Sequence, residues 1–486
     1  MFEPARWNDD PPCGHQVAHP YQTHYCSHIR VPRLLTLQNP QTPHPDEILA
    51  LLILQAIELW LRVILNDVKS ALGGLASNLP PVYQPTKLLH RAAKLIRLLD
   101  LHADVAESIL LHDLRLLLPL SGPLDDLRSA QLRELESVTE LLARLKPAGE
   151  PGQADSAHGL VGHFRRWGER YQRLLADLFE RDRPQAPSFD EYLKLEALLR
   201  LQVGAMGDWV AAGDQPTRLL APKQLSADEL MFIVVHQVFE LWFRALLHEL
   251  DQVLTELSAP EPAIPEAARR MRRVVRIQEL LAEMIHIPAT IGAMDFLRFR
   301  QMAKRVDGVV HERGLSPASG TESYQFRELE LVAGLKHSVA YQEFLAGNSE
   351  LHTRFLTPRL DARLKQPSLP EAFRTVLAKR GLADVIEIFK PAEVANPHAD
   401  LAELADLLLE FDHFFQLWRF NHLTMVQSMI GRKSGTGFLG PEYLKETVGL
   451  GMQGEDDRLL RTPQIRPRFF EELWEARTRM QVGEQE

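Results

Sequence analysis

The sequence predicts an almost wholly helical protein, and three observations support this prediction. Apolar residues recur at steps of three and four over long stretches, as they do along one face of an α-helix. Leu, Ala, Glu and Arg dominate the composition, and all four are favourable in helices. Only 27 of the 486 residues are glycine, so few positions interrupt the helical pattern.

The helical patterns fall into two series. Residues 1–44 are rich in Pro and His and predict an irregular arm with a short helix around residues 33–38. A first series follows at residues 46–71, 85–99, 105–118, 124–145 and 163–179, with a predicted linker at 146–159. The second series covers residues 189–205, 228–257, 265–285, 292–306, 325–335, 371–380, 401–430 and 467–480.

The two series share residues in the same order. DEILALLILQAIELWLR, from Asp46, and DELMFIVVHQVFELWFR, from Asp228, are identical at seven of 17 positions. SGPLDDLRSAQLRELE likewise matches SGTESYQFRELE, and LLTLQ matches LLRLQ. Chance similarity between Leu-rich helices is the alternative, but three matches in one order favour an internal duplication. We therefore expect a tandem pseudo-dimer with domains at 1–182, including the arm 1–44, and 183–486.

Charge and cysteine content narrow the class of function. The formal net charge is -10 and the pI about 6.0, which argues against nucleic acid or an anionic membrane as a partner. A small molecule or a protein is the expected partner. Two cysteines suit a reducing compartment, so the expected location is cytoplasmic. The most apolar stretch, residues 48–65, contains Glu58 and Arg62, and no membrane span is predicted.

Two histidines lie on apolar helix faces. Ser226 and Glu229 have capping-box spacing, and behind them Phe232, His236, Glu240 and Phe243 share one face. Such a histidine is either a hydrogen-bonded core residue or a site residue.

The second histidine lies near the end of the chain. Trp418, His422, Val426 and Met429 share another face, in a helix that Gly431 is placed to end. A single imidazole there suits a haem iron as its proximal ligand. Core packing is again the alternative.

Two further candidates are less defined. Arg300 follows Phe296 by one turn and suits bidentate binding of a carboxylate, with a solvated arginine as the alternative. In the arm, Cys13 with His15 and Cys26 with His28 form two CxH pairs. These four residues are a possible zinc set, although the spacing is not a usual one.

Five motifs, in order, resemble the tryptophan 2,3-dioxygenase family: FDEYLKLEALLRLQ, DELMFIVVHQVFELWF, MDFLRFR, LSPASGTESYQFRELE and WRFNHLTMVQSMIGRKSGTG. The resemblance covers about residues 187–450 and is low between 336 and 407. It implies an all-helical enzyme with haem b that inserts O2 across the C2–C3 bond of the indole ring of L-tryptophan. The product would be N-formylkynurenine, the first intermediate of tryptophan catabolism by the kynurenine pathway.

The resemblance also implies roles for single residues. His422 would be the proximal iron ligand, and His236 would accept a hydrogen bond from the indole N–H. The other implied site residues bind the substrate or the haem. They are Phe232, Phe296, Arg300, Thr436, Tyr192 and Phe189 for the substrate and Ser319 and Trp418 for the haem.

Three departures from the family concern the substrate more than the haem. Phe438-Leu439-Gly440-Pro441 is bulkier than the family's loop at that position, and Phe189 replaces a pocket tyrosine. About a dozen additional residues, including KRVDGVVHERG, follow Arg300. The alternatives are therefore an oxygenase for a modified tryptophan, another indole or tyrosine, and a non-catalytic haem sensor.

In the first series, Leu54 stands where His236 would be and Ala50 where Phe232 would be, while Tyr171 aligns weakly with His422. We expect a degenerate, haem-free copy, with a tyrosine-ligated haem as the minor alternative. The family forms tetramers in which an N-terminal segment lines the neighbour's site. A tandem chain could supply that segment internally through Tyr25 and His28, and the expected assembly is a homo-oligomer, a dimer of tandem chains.

Overall fold

The three-dimensional structure is a computed structural model. It describes residues 25–76, 83–114, 117–121, 127–144, 151–180, 185–202, 207–212, 215–219, 225–300, 304–306, 309–312, 320, 323–335, 358–390, 395–431 and 468–480.

Helices dominate the described part of the chain, which confirms the predicted all-α class. The α-helices in chain order are α1 (Tyr25–Ile29), α2 (Val31–Leu34), α3 (Glu47–Ala76), α4 (Tyr83–Ala106), α5 (Ala130–Arg144), α6 (Pro151–Leu178), α7 (Phe189–Tyr192), α8 (Leu195–Leu199), α9 (Ala227–Ser258), α10 (Ile264–Met284), α11 (Ala293–Arg300), α12 (Tyr324–Ala333), α13 (Pro358–Leu364), α14 (Leu369–Lys379), α15 (Ala399–Ile430) and α16 (Glu471–Arg479). A π-helix at Glu107–Asp113 continues α4.

The chain divides into two compact units. Among the described residues, unit 1 comprises those within 25–242 and 286–320, and unit 2 comprises those within 243–285 and 323–480. These units do not follow the sequence boundary between residues 182 and 183, because the start of the second series belongs to unit 1. The domains 1–182 and 183–486 therefore stay a prediction about two sequence copies.

Unit 1 is built around α3, which packs against α4 and α5, while α4 packs against α6. Every residue of α3 from Leu49 to Trp60 is buried, so this helix has no solvent face over three turns. In unit 2, α10 packs along α15, and α12 contacts α13 and α14.

A small sheet in unit 1 was not predicted. The first two strands, β1 (Leu118–Pro119) and β2 (Phe179–Glu180), form only a two-residue parallel pair. The sheet itself is antiparallel and has the strand order β4-β3-β6-β5. Its strands are β3 (Gly207–Ala212), β4 (Gln215–Leu219), β5 (Lys304–Val306) and β6 (Val309–Glu312). The insertion after Arg300 forms the hairpin β5–β6, and Val210 pairs with Val309 across the sheet. Strands this short alternate too briefly for a period-two pattern to be recognised.

Several element boundaries differ from the prediction. Residues 151–159 of the predicted linker belong to α6, which begins at Pro151 because a proline in the first helical turn lacks an N–H that would be unpaired anyway. The predicted helix at 189–205 is broken into α7 and α8 at Lys194, whose φ is 52°. Helix α11 ends at Arg300 instead of continuing to residue 306.

Helix ends otherwise follow the local signals. Ser226 Oγ accepts the Glu229 N–H at 3.1 Å, which is half of the expected capping box. Gly431, with φ 62°, follows the last residue of α15, as the predicted stop requires.

The two helix series repeat specific contacts within unit 1. Gln38 donates to Gln55 Oε1 at 2.7 Å, and Gln55 donates to the Leu193 carbonyl at 2.9 Å. The aligned Gln202 donates to Gln237 at 2.7 Å, and Gln237 donates to the Ile29 carbonyl at 3.0 Å. Helix α3 of the first series thus binds the segment around Leu193, and α9 of the second series binds the segment around Ile29.

A left-handed residue follows each of those two carbonyls. Arg30 has φ 61° and Lys194 has φ 52°. Both are non-glycine residues, and this conformation is uncommon for them. The repeated strain shows that the exchanged segments turn in the same way.

Helices α3 and α9 are long and apolar enough to cross a membrane by length and composition. In each, 89% of the most apolar window is buried inside the protein. Burial of this extent is the property of core helices, which pass the same test of length and composition.

Candidate active site

His236 of α9 has a defined tautomer. Its Nδ1 lies 2.7 Å from the Phe232 carbonyl oxygen, and because a carbonyl only accepts, Nδ1 carries the proton. Burial lowers the pKa of His236 to about 4, against the opposing effect of that hydrogen bond. The ring is therefore neutral at pH 7, and Nε2 is a hydrogen-bond acceptor.

Aromatic rings surround this imidazole in unit 1. The Phe232 ring lies 4.4 Å from the His236 ring, and the Phe296 ring lies 5.8 Å from the Phe232 ring. The backbone of Gly320 is close, since a Cβ there would lie 3.6 Å from His236 Nε2. The structure thus brings three predicted site residues together, namely His236, Phe232 and Phe296.

Tyr25 of the N-terminal arm also lies against His236. The two ring centroids are 5.8 Å apart at 69°, and the Tyr25 hydroxyl donates to Glu240 Oε1 at 2.9 Å. This contact agrees with the expectation that the arm supplies a side chain to the second series.

Phe189 and Tyr192 occupy the reciprocal place. The Tyr192 hydroxyl donates to Glu47 Oε1 at 3.0 Å, and both rings contact Phe179, at 5.9 and 5.6 Å. The structure therefore does not bring these two predicted substrate residues to His236. The reason is the exchange of segments, which places Tyr25 there and leaves Phe189 and Tyr192 against the first series.

The predicted iron ligand belongs to unit 2. On α15 the rings of Trp418 and His422 lie 5.2 Å apart, and the Phe326 ring lies 5.0 Å from Trp418. Trp418, His422, Val426 and Met429 are only half-buried. A partly accessible apolar helix face with one imidazole fits the demand of a haem, which needs one axial ligand and apolar packing for the macrocycle.

A buried ionic network holds α15 at this point. Arg419 donates to Glu330 Oε1 at 2.8 Å, and Arg327 donates to the other oxygen of Glu330 at 2.7 Å. Arg419 also lies 4.7 Å over the Phe415 ring. Because Arg419 lies between Trp418 and His422 in the sequence, these contacts fix the rotation of the helix that carries both.

The equivalent places in the first series are filled by protein. Leu54 and Ala50 are fully buried. The Trp167 and Tyr171 rings stack at 4.9 Å, with exposed fractions of 1% and 0%. These described residues are packed by protein, unlike the half-buried face of His422, and the haem-free first copy stays a prediction.

Other predicted site residues lie outside the described part of the chain. This applies to Ser319 and Thr436, and also to the side chain of Arg300, whose backbone ends α11. Of the possible zinc set, Cys26 and His28 are buried, whereas Cys13 and His15 lie outside the described residues.

A further histidine, which no sequence motif indicated, is fully buried in unit 1. His102 Nε2 accepts the indole N–H groups of Trp60 at 3.2 Å and Trp242 at 3.3 Å. The two tryptophans are aligned residues of the two series, but nothing in the local pattern around His102 marks it as their shared partner.

Comparison with known proteins agrees with the motifs. The sequence model of the family described as tryptophan 2,3-dioxygenase matches residues 180–381 and 377–454. A protein named tryptophan 2,3-dioxygenase from Herpetosiphon aurantiacus is 32% identical over 281 residues, covering 54% of this chain and 94% of the relative.

Other relatives with the same name give similar matches. One from Nocardioides sp. is 36% identical over 234 residues, covering 46% of this chain and 80% of the relative. One from Myxococcus xanthus is 28% identical over 313 residues, covering 60% and 89%. Since the family match spans more than half of the chain, the protein belongs to the tryptophan 2,3-dioxygenase family and is an oxygenase.

Proposed function

We propose that the protein is a haem-dependent dioxygenase that inserts O2 into the C2–C3 bond of the indole of L-tryptophan to give N-formylkynurenine. The observation that carries this proposal is the state of His236. A neutral imidazole with an accepting Nε2 between aromatic rings is suited to an indole N–H.

The role of His236 follows from its pKa of about 4. So weak a base binds the indole N–H by a hydrogen bond and does not remove its proton. The hydrogen bond orients the ring and raises its electron density at C2 and C3, where the oxygen is added. Phe232 and Phe296 supply the walls, and Tyr25, held by Glu240, packs behind the imidazole.

The polar end of the amino acid needs other residues. Arg300 would pair with the carboxylate, since a guanidinium offers two parallel donors to it, and Thr436 would bind near the same end. His422 would ligate the iron of haem b, with Trp418 packing on the macrocycle and Ser319 near its edge. The haem, when bound, supplies the iron that binds O2.

The first series would serve as a non-catalytic copy. The reciprocal bonds of Gln55 and Gln237 and the filled surroundings of Leu54 support a duplicated arrangement in which residues 1–182 provide Tyr25 to the second copy. We further propose a cytoplasmic protein and a homo-oligomer of such tandem chains.

The proposal can be tested with the full chain loaded with haem. Incubation with L-tryptophan under isotopically labelled O2 should give N-formylkynurenine with both labelled atoms, as detected by mass spectrometry. A product with one labelled atom, or no consumption of L-tryptophan, would contradict it.

A second candidate is an oxygenase for a modified tryptophan, another indole or tyrosine. The observation that favours it is the pair of strands β5 and β6, which begins at Lys304, four residues after Arg300, and joins β3 in the sheet. Parallel incubations with these compounds should show which one is consumed fastest.

A further inference from the structure

Lys87, on α4 of the N-terminal half, joins the starts of two helices that carry proposed substrate residues. Its Nζ lies 2.5 Å from Asp228 Oδ2 and 3.3 Å from Asp295 Oδ2. Asp228 belongs to the first turn of α9, the helix of Phe232 and His236. Asp295 belongs to the first turn of α11, the helix of Phe296 and Arg300.

Asp228, one of the two carboxylates that Lys87 bridges, is buried and accepts several hydrogen bonds. The side chain of Asp228 is 2% exposed and that of Lys87 10%. Arg91 donates to the other oxygen of Asp228 and forms a two-pronged pair with Asp67 at 2.7 Å. Three groups therefore donate to this buried carboxylate, and Arg91 and the Gly292 N–H still contact it when Lys87 is replaced.

The Asp295 end is close-packed but less buried. The Asp295 side chain is 34% exposed, so it can be hydrated if its cation is lost. Gly292, just before α11, donates its N–H to Asp228 Oδ2 at 3.3 Å. A Cβ at Gly292 would lie 2.5 Å from Asp295 Oδ2 and 3.1 Å from Lys87 Nζ, so the start of α11 is held close to the ammonium group.

We propose that Lys87 is a positioning residue that sets α11, and with it Arg300, relative to α9. This inference rests on the proposed function, in which Arg300 pairs with the substrate carboxylate. The non-catalytic copy then contributes more than an interface, because one of its lysines determines how well the carboxylate of the substrate is bound.

The test compares ligands with and without a carboxylate. In Lys87→Met, titration of the haem Soret band should give a Kd for L-tryptophan about five- to tenfold above wild type, because a displaced binding group loses geometry without being removed. The Kd for tryptamine, which lacks the carboxylate, should change by less than about twofold in the same variant.

Three variants make the result specific. Lys87→Arg keeps the charge and should restore the wild-type Kd in large part. Asp295→Asn removes the bridge on the more exposed side and should reproduce the effect of Lys87→Met even if the latter variant folds poorly. Lys69→Met removes a lysine from an exposed pair with Glu134 and should leave both constants unchanged.

Coupling to Arg300 is the final criterion. The increases in Kd from Lys87→Met and Arg300→Ala should not multiply in the double variant, since both act on one contact. Equal effects on both ligands, or no effect in Lys87→Met and Asp295→Asn, would overturn the role of Lys87. A wild-type protein that does not bind L-tryptophan would instead refute the proposed function.

Discussion

His102 and His236 hold their ring proton in the same way and differ in what the other nitrogen meets. The Nδ1 atom of each lies near a carbonyl one helical turn earlier, at 3.0 Å in His102 and 2.7 Å in His236. Burial lowers the pKa of both to about 4. Both rings are therefore neutral, with Nε2 as the acceptor.

The difference lies in the indole groups around them. Two protein indoles, those of Trp60 and Trp242, already donate to His102. No described residue donates to Nε2 of His236. The bond from Nδ1 to a carbonyl is thus the same in both histidines. His102 binds two indoles of the protein itself, whereas in the proposed function His236 binds the indole of the substrate.

The aligned glutamates Glu58 and Glu240 show a second difference between the series. Glu240 receives the Tyr25 hydroxyl, whereas Phe189, the residue aligned with Tyr25, has no hydroxyl to offer Glu58. In the described structure Oε1 of Glu58 is buried without a hydrogen-bond partner. Burial raises the pKa of Glu58 to about 7, although Gln131 donates to its other oxygen.

The largest expected effect concerns His422, the proposed iron ligand of the second series. His422→Ala should abolish haem loading, because the haem would lose the side chain proposed to bind its iron. The haem-to-protein ratio from the Soret absorbance checks this.

The matched control is Tyr171→Phe in the first series, which should leave the haem content unchanged. A normal haem content in His422→Ala, or a loss in Tyr171→Phe, would assign the iron to the other series.

His102→Leu should destabilise the fold by about 2–6 kcal/mol, since two buried indole N–H groups each lose their acceptor at about 1–3 kcal/mol. Urea unfolding measures the change. His112→Leu is the control, because His112 makes the same bond to a carbonyl, that of Glu107, on an exposed surface. Equal stability losses in the two variants would contradict the role given to His102.

His236→Leu gives the second series the leucine that the first series has at the aligned position, Leu54. The kcat/KM for L-tryptophan should fall by about ten- to hundredfold, the value of a hydrogen bond worth about 1.5–3 kcal/mol. Haem content should not change, and Leu54→Met serves as the matched control. An unchanged kcat/KM would mean that the indole N–H binds elsewhere.

Glu58→Gln should change the dependence of stability on pH. Because the folded-state pKa of Glu58 is raised from 4.5 to about 7, the native protein keeps a proton that the unfolded chain loses. Stability from this group is therefore present below pH 4.5 and lost as the pH rises to about 7. The variant should be more stable than wild type at pH 8, by roughly 2–3 kcal/mol, and show a smaller gain at pH 5.

Phe189→Tyr is the sharper form of the same test. It gives Glu58 the hydroxyl that Glu240 receives from Tyr25, and it should stabilise the protein at pH 8 by about 1 kcal/mol, the typical net value of one hydrogen bond. No gain would show that the two series are not equivalent at this position.

Local sequence pattern indicated part of the candidate site. His236, Phe232 and His422 lie in family motifs whose residues share a helix face at three- and four-residue steps, and their roles stay predictions. Phe189 and Tyr192 lie against Phe179 and not beside His236 in the described structure, because the exchange of N-terminal segments is a long-range arrangement; their role in binding substrate stays a prediction. Lys87 and His102 were missed for the same reason, since their partners lie far away in the sequence.

The sequence by itself determined the helical class, the repeated order of helices and the family, because periodicity, capping residues and motifs act over a few neighbouring residues. Only the tertiary structure decided that the Tyr25 ring lies beside His236, that two indole N–H groups donate to His102, and that Lys87 joins α9 to α11. Those contacts connect residues that are distant in the chain, and their energies depend on burial and direction, which no local pattern specifies.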